Sequence, residues 1–182
     1  PVLGEAFDFP TDHGPHPEFR IEWWYLTANL MGADGRDYGV QWTLFRSARE
    51  PRAEEGWQSP QTWMGHAART TPNAHYAAER FARDGSGQAG AQASPFIAWI
   101  DDWQMAGSDT LDALTLTARA AECSYALDLS AQGPLVFHGQ NGHSVKSAEG
   151  QASRYYSQPF YEVAGLIETP EGPMEVIGTA WL

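Results

Sequence analysis

The chain has 182 residues, 42% of them apolar, which is enough for one domain with a sizeable core. Its formal charge of −12, with only 11 Lys and Arg spread along the chain, excludes a nucleic-acid or anionic-membrane surface, because a polyanion needs clustered cations. The single cysteine, Cys123, excludes an internal disulfide and any Cys-rich metal site, and no apolar run approaches the length of a membrane span.

Residues Pro1 to Phe19 are rich in Pro and Gly and are expected to form an extended, irregular arm. Arg20 to Leu30 reads as a strand, Gly32-Ala33-Asp34-Gly35 as a turn, and Asp37 to Arg46 as the hairpin partner. Alternation puts Glu22, Trp24, Leu26, Ala28 and Leu30 on one face and Ile21, Trp23, Tyr25, Thr27 and Asn29 on the other. Both faces are bulky and apolar, so this strand should be covered on both sides. Ala48 to Gln61 reads as a charged surface loop and Thr62 to Thr70 as a further strand. Ala74 to Arg83 suits a short helix or a strand equally. Asp84 to Ser94, rich in Gly, Ala, Ser and Gln, reads as a mobile loop.

From Pro95 onward, alternation resumes. Pro95 to Met105, Thr110 to Ala120 and Cys123 to Ala131 read as three strands of a meander. A Gly-rich loop from His138 to Gly150 precedes strands near Arg154 to Ser157, Phe160 to Glu168 and Met174 to Leu182, with Pro170-Glu171-Gly172-Pro173 as the last turn. Nine or ten short strands with little helix predict an antiparallel sheet closed into a barrel or folded as a sandwich, and the pattern does not choose between them.

Several residues are candidates for chemistry. Glu22 lies in an aromatic strand, where partial loss of water favours a carboxyl group usable as a proton donor or base; the competing reading is an ion pair with Arg20 or Arg46 that closes the strand end. His66 shares a predicted strand face with Met64 and Ala68 and can exchange protons with a ligand if that face lines a cavity. Tyr155 and Tyr156 point to opposite faces, so one hydroxyl at most is directed inward; Tyr155 joins Glu22 and His66 as a candidate catalytic group. Trp24, Trp42, Tyr156 and Trp181 are candidate ligand contacts, because a flat ring stacks on a polyene and its face stabilises a developing cation. Trp24 beside Glu22 on one strand face is the favoured pairing.

His13 and His16, with Asp12 and Glu18 nearby, resemble a metal site only superficially. The kinked Gly14-Pro15 and Pro17 backbone fits no ligand pattern, so these imidazoles are expected to hydrogen-bond backbone groups and pin the arm. No metal is expected. His138, His143 and Ser144 invite a serine-hydrolase reading, but Gly142-His143-Ser144-Val145-Lys146 lacks the second glycine of a nucleophile elbow. With no phosphate loop, no cofactor is expected either.

The stretch Asp12 to Thr27, with Ser153-Arg154-Tyr155-Tyr156-Ser157-Gln158-Pro159 and Gly178-Thr179-Ala180-Trp181-Leu182, resembles the signature motifs of the AttH/CrtC-like lipocalin family in order and spacing across the whole chain. The resemblance implies an all-β, antiparallel lipocalin-like (calycin) barrel over residues 1–182, with long loops and at most one short helix. It implies a hydrophobic small molecule as partner: a polyene, isoprenoid or lipid held in a barrel or interdomain cavity. The alternative it implies is a cofactor-free hydratase or cyclase of the carotenoid 1,2-hydratase kind, with Glu22 or His66 as proton donor; a hydrolase is the weaker reading. Family members have a second lipocalin-like domain beyond the equivalent of Leu182, so this chain is expected to be an N-terminal half whose partner is that domain. A periplasmic or secreted location is expected of the group.

Overall fold

The computed structural model describes residues 3–50, 52 and 56–182. Among them there is no α-helix; two 3-10 turns, Thr11–His13 and Gly56–Gln58, accompany fifteen strands. Eleven strands form one antiparallel sheet: β1 (Ile21–Gly32), β2 (Asp37–Ala48), β3 (Gln61–Thr70), β4 (His75–Arg83), β5 (Ala89–Ala93), β6 (Phe96–Ile100), β7 (Trp103–Gly107), β8 (Ala113–Ala118), β9 (Tyr125–Ala131), β14 (Tyr161–Thr169) and β15 (Gly172–Trp181). Two short ribbons lie outside it: β10 (Val136–Phe137) pairs with β13 (Tyr156–Ser157), and β11 (His143–Val145) with β12 (Ala152–Arg154).

The order β4-β3-β2-β1-β15-β14-β9-β8-β7-β6-β5 rolls the sheet until β6 meets β2, β3 and β4, giving the expected lipocalin-like barrel. Gly65 permits this closure: a Cβ there would stand 2.6 Å from Ile100 Cγ2 of the facing strand. The β1–β2 register pairs Glu22 with Arg46 and Trp24 with Leu44, and of the two faces that alternation separates, the one with Trp24, Leu26, Ala28 and Leu30 is turned inward.

Trp24, Leu26, Ala28, Val40, Trp42, Leu44, Ile100, Trp103, Met105 and Leu116 form one continuous core and fill the barrel with their own side chains. The eight tryptophans are thus divided between interior packing and the surface: Trp42 is fully buried, Trp57 is 71% exposed. Tyr125 ties β9 to β2 by donating its hydroxyl hydrogen to the Gln41 carbonyl at 2.9 Å. Arg80 lies over the Trp103 ring and pairs with Asp102.

Three expectations change. Ala74–Arg83, open between helix and strand, is strand β4, because pairing along the whole of β3 outweighs its helical composition. The loop expected over Asp84–Ser94 contains edge strand β5, whose small residues are ordered by their ladder with β6. Pro95–Met105 is not one strand but the β6–β7 hairpin: Asp101, at φ +52°, turns the chain in the left-handed region that Asp tolerates better than most residues. Of the arm and the 48–61 loop, residues 1–2, 51 and 53–55 lie outside the described residues.

Because Trp42 fills the barrel centre with no exposed surface, Trp42→Ala should cost about 3–5 kcal/mol in denaturant unfolding. A loss below about 1 kcal/mol would show that the interior is not closely packed there.

Candidate functional site

The arm turns back across the open end of the barrel. Gly14 and the prolines that flank His16 break any regular structure, and Gly14 lets the backbone lie against β5, where a Cβ would stand 3.2 Å from that of Ala93. This return places His16 against Glu22 at the start of β1. His16 Nδ1 lies 2.6 Å from Glu22 Oε1, His16 Nε2 lies 2.9 Å from Asp12 Oδ1, and the His16 backbone N–H donates to Glu22 Oε2 at 2.8 Å.

Ionised carboxylate oxygens only accept, so an imidazole with both ring nitrogens on carboxylates carries both protons. The hydrogen bond to Glu22, working against burial and helped by that to Asp12, pushes the His16 pKa up to about 9. Each carboxylate has an arginine on its other side. Arg46, buried on the inner face of β2, donates from Nε to Glu22 Oε2 at 2.7 Å; its Nη2 donates to the His16 and Phe19 carbonyls at 2.7 and 2.8 Å, and its Nη1 to Gln61. Arg154 donates to Asp12 Oδ2 at 2.7 Å. Burial works to raise the Asp12 pKa, but the Asp8 N–H, His16 and Arg154 together hold it below the usual carboxylate value. The result is a line of alternating charge, Arg46, Glu22, His16, Asp12, Arg154, across the barrel mouth.

His13, three residues earlier, has the opposite state. It is buried, stacked on Phe9 at 4.4 Å between ring centroids, with Nδ1 2.7 Å from the Tyr156 hydroxyl. Burial drives its pKa down to about 4, with Asp12 and Asp109 opposing weakly, so the ring is neutral near pH 7. Trp24 donates its indole N–H to the His13 carbonyl at 2.9 Å, and burial raises the Tyr156 phenol above its ordinary value.

Between the arm, β1 and residues 150–157 lies a cavity of about 540 Å³. Phe19, Trp23, Trp24, Tyr25, Tyr155 and Trp181 supply its aromatic lining, and Asp12, His16, Glu18, Arg20, Glu22 and Arg154 its charged groups. Tyr155 stacks on His138 at 4.1 Å and meets the Trp23 ring edge-on at 6.1 Å. A second, more open groove of about 790 Å³ on the outer face of β1–β4 is lined by Ile21, Phe45, Trp57, Met64 and Phe81, with Arg83 the one charged residue among the described residues that line it. Apolar walls with converging titratable groups mark the first cavity as the candidate site.

A family model described as AttH-like matches residues 1–182. The chain belongs to the AttH-like family. A crystal structure of an AttH candidate from Nitrosomonas europaea superposes on this AttH-like chain with a TM-score of 0.82 at 32% identity, covering 99% of this chain and 55% of that one. Kievitone hydratase from Nectria haematococca shares the fold, with a TM-score of 0.70 at 9% identity, over 97% of this chain and 50% of that one. The AttH-like chain thus spans about half the length of both solved structures. No curated protein sequence matches it.

Glu22, Trp24, Tyr155, Tyr156 and Trp181 come together around the cavity of the AttH-like chain. His66 and Trp42 do not line it. His66 lies on the outer sheet face, opposite Thr43, with Nε2 3.6 Å from Glu79 and its ring against Phe45; Trp42 is core. Of the two arrangements open to Glu22, the structure has the ion pair with Arg46. The arm histidines bind side chains, not the backbone groups expected of them, because carboxylates and a phenol lie within reach. The pairing of Asp12 with Arg154 is one that no local pattern indicates, since the two are 142 positions apart.

The two histidines predict opposite pH slopes. His16, raised to about 9, contributes stability that is complete below about pH 6.5 and lost as pH rises through 9; His13, lowered to about 4, contributes stability that is lost as pH falls from 6.5 through 4. Unfolding free energy followed against pH should lose its alkaline slope in His16→Gln and keep its acid slope. An unchanged alkaline slope in that variant would contradict the half-buried imidazolium.

Proposed function

We propose that this chain binds an apolar small molecule, of the polyene, isoprenoid or lipid class, in the cavity at the barrel mouth. One observation carries the reading: the 540 Å³ space is lined by Phe19, Trp23, Trp24, Tyr25, Tyr155 and Trp181 together with a few charged groups, the composition of a site that holds a ligand by apolar burial and orients it with a few polar groups. The filled interior supports a site at the mouth over one inside the barrel. We include in the proposal a second lipocalin-like domain of the same protein that covers the outward side of the cavity, in keeping with the greater length of the two solved relatives.

Tryptophan fluorescence titrated with a carotenoid, a retinoid and a fatty acid tests this reading, because Trp23, Trp24 and Trp181 all line the space. A saturable change is expected with at least one of them, and Trp23→Ala should weaken that binding by about tenfold through lost contact area. No response from any of the three, with the whole protein, would contradict it.

A second reading is hydration of an alkene, in which an acid protonates carbon and water captures the cation. It is favoured by a proton held on His16 in the cavity wall, and the fold is shared with a hydratase. Glu22 accepts three hydrogen bonds here, so the reading assigns the mobile proton to His16. Turnover of an acyclic carotenoid by the whole protein, abolished in a folded His16→Gln variant, is its expected signature; turnover unaffected by that substitution would remove His16 from the chemistry.

A further inference from the structure

Ser157 and His138 meet where the β10–β13 ribbon ends. Val136 pairs with Ser157 and Phe137 with Tyr156, and the His138 N–H donates to the Tyr155 carbonyl at 3.0 Å, so the two side chains are brought side by side. His138 Nε2 lies 2.8 Å from Ser157 Oγ. The imidazole is held in orientation by the Tyr155 ring, stacked on it at 4.1 Å and 19°. Ser157 also lines the aromatic cavity, next to Tyr155 and Tyr156. A serine hydroxyl on an imidazole is the nucleophile and base of acyl transfer when a substrate can reach it, and the cavity provides that access.

We propose that Ser157 and His138 form a nucleophile and general-base pair that hydrolyses carboxylic esters with an apolar acyl group. With His138 in the tautomer protonated at Nδ1, Nε2 accepts the Ser157 hydroxyl proton as Oγ attacks the carbonyl carbon. The bond to the alcohol oxygen breaks, the leaving alkoxide takes the proton from Nε2, and the acyl group remains on Oγ. Water then attacks the acyl carbon while giving a proton to Nε2; the Oγ–carbon bond breaks, Oγ takes that proton, and the carboxylic acid leaves. An acyl chain lying on Trp23 and Tyr155 brings its carbonyl to Oγ. This rests on the binding reading only in that the cavity admits an apolar chain.

The test uses the whole protein with an alkyl fluorophosphonate, followed by intact mass and peptide mapping. A single phosphonyl adduct on Ser157 is expected, absent in Ser157→Ala and formed about 100-fold or more slowly in His138→Ala. Ser144→Ala, on the neighbouring ribbon and outside the cavity, should label like the parent. No adduct, an adduct only at another residue, or one that persists in Ser157→Ala overturns the proposal. If Ser157→Ala does not fold, peptide mapping of the parent protein decides. A tryptophan response to apolar ligands without labelling overturns this inference and leaves the binding reading standing; labelling without that response does the reverse.

Discussion

The contact on which the site depends is the pair of hydrogen bonds from His16 to Glu22 and Asp12, 2.6 and 2.9 Å long. A charged imidazole in a half-buried position costs free energy unless both nitrogens are matched, and here both are. Each carboxylate is in turn matched by an arginine, Arg46 from the barrel and Arg154 from the 152–154 strand. No member of the line can be removed without leaving a neighbouring charge short of a partner, which is the condition under which a buried ion pair is costly to break. An irregular arm with few backbone ladder bonds of its own is thereby fixed to a particular place on the barrel.

The arm uses two imidazoles in two protonation states within four residues. His16 is held charged by carboxylates, and His13 is held neutral by burial against Phe9 and Tyr156. The difference comes from surroundings alone, since the two side chains are chemically identical. Aromatic contacts extend the second anchor: Phe7 and Phe9 pack on each other and on Tyr156 and Phe137, so the arm also ties the short β10–β13 ribbon to the barrel. The cavity walls are in this way contributed by three parts of the chain that are distant in sequence.

The β1–β2 hairpin was legible because it alternates without interruption and is closed by a glycine-containing turn; its register then brings Glu22 opposite Arg46. The β6–β7 turn was not, because Asp101 and Asp102 sit inside an unbroken alternation with neither glycine nor proline to mark a reversal. β5, four of whose five residues are Ala or Gly, has no apolar alternation of large side chains to mark it and takes its order from its neighbour. Of the site, the aromatic positions on β1 and the Tyr155-Tyr156 pair could be read from period and from family motifs. The partners of His13 and His16 could not, since an irregular arm has no period from which a direction follows, and Arg154 reaches Asp12 only through tertiary folding. The face shared by His66, Met64 and Ala68 does not line the cavity, and the reason is simple: alternation assigns residues to two faces but does not say which face is inside, and on β3 the inner set is Gln61, Trp63, Gly65, Ala67 and Arg69.

The protonation of His16 is the claim most directly open to measurement. A pH titration of its ring by nuclear magnetic resonance on selectively nitrogen-labelled protein should show both nitrogens protonated through neutral pH, with the transition near 9. A His16 ring that loses its proton near pH 6.5, as free histidine does, would contradict the alternating charge line and the docked arm that depends on it.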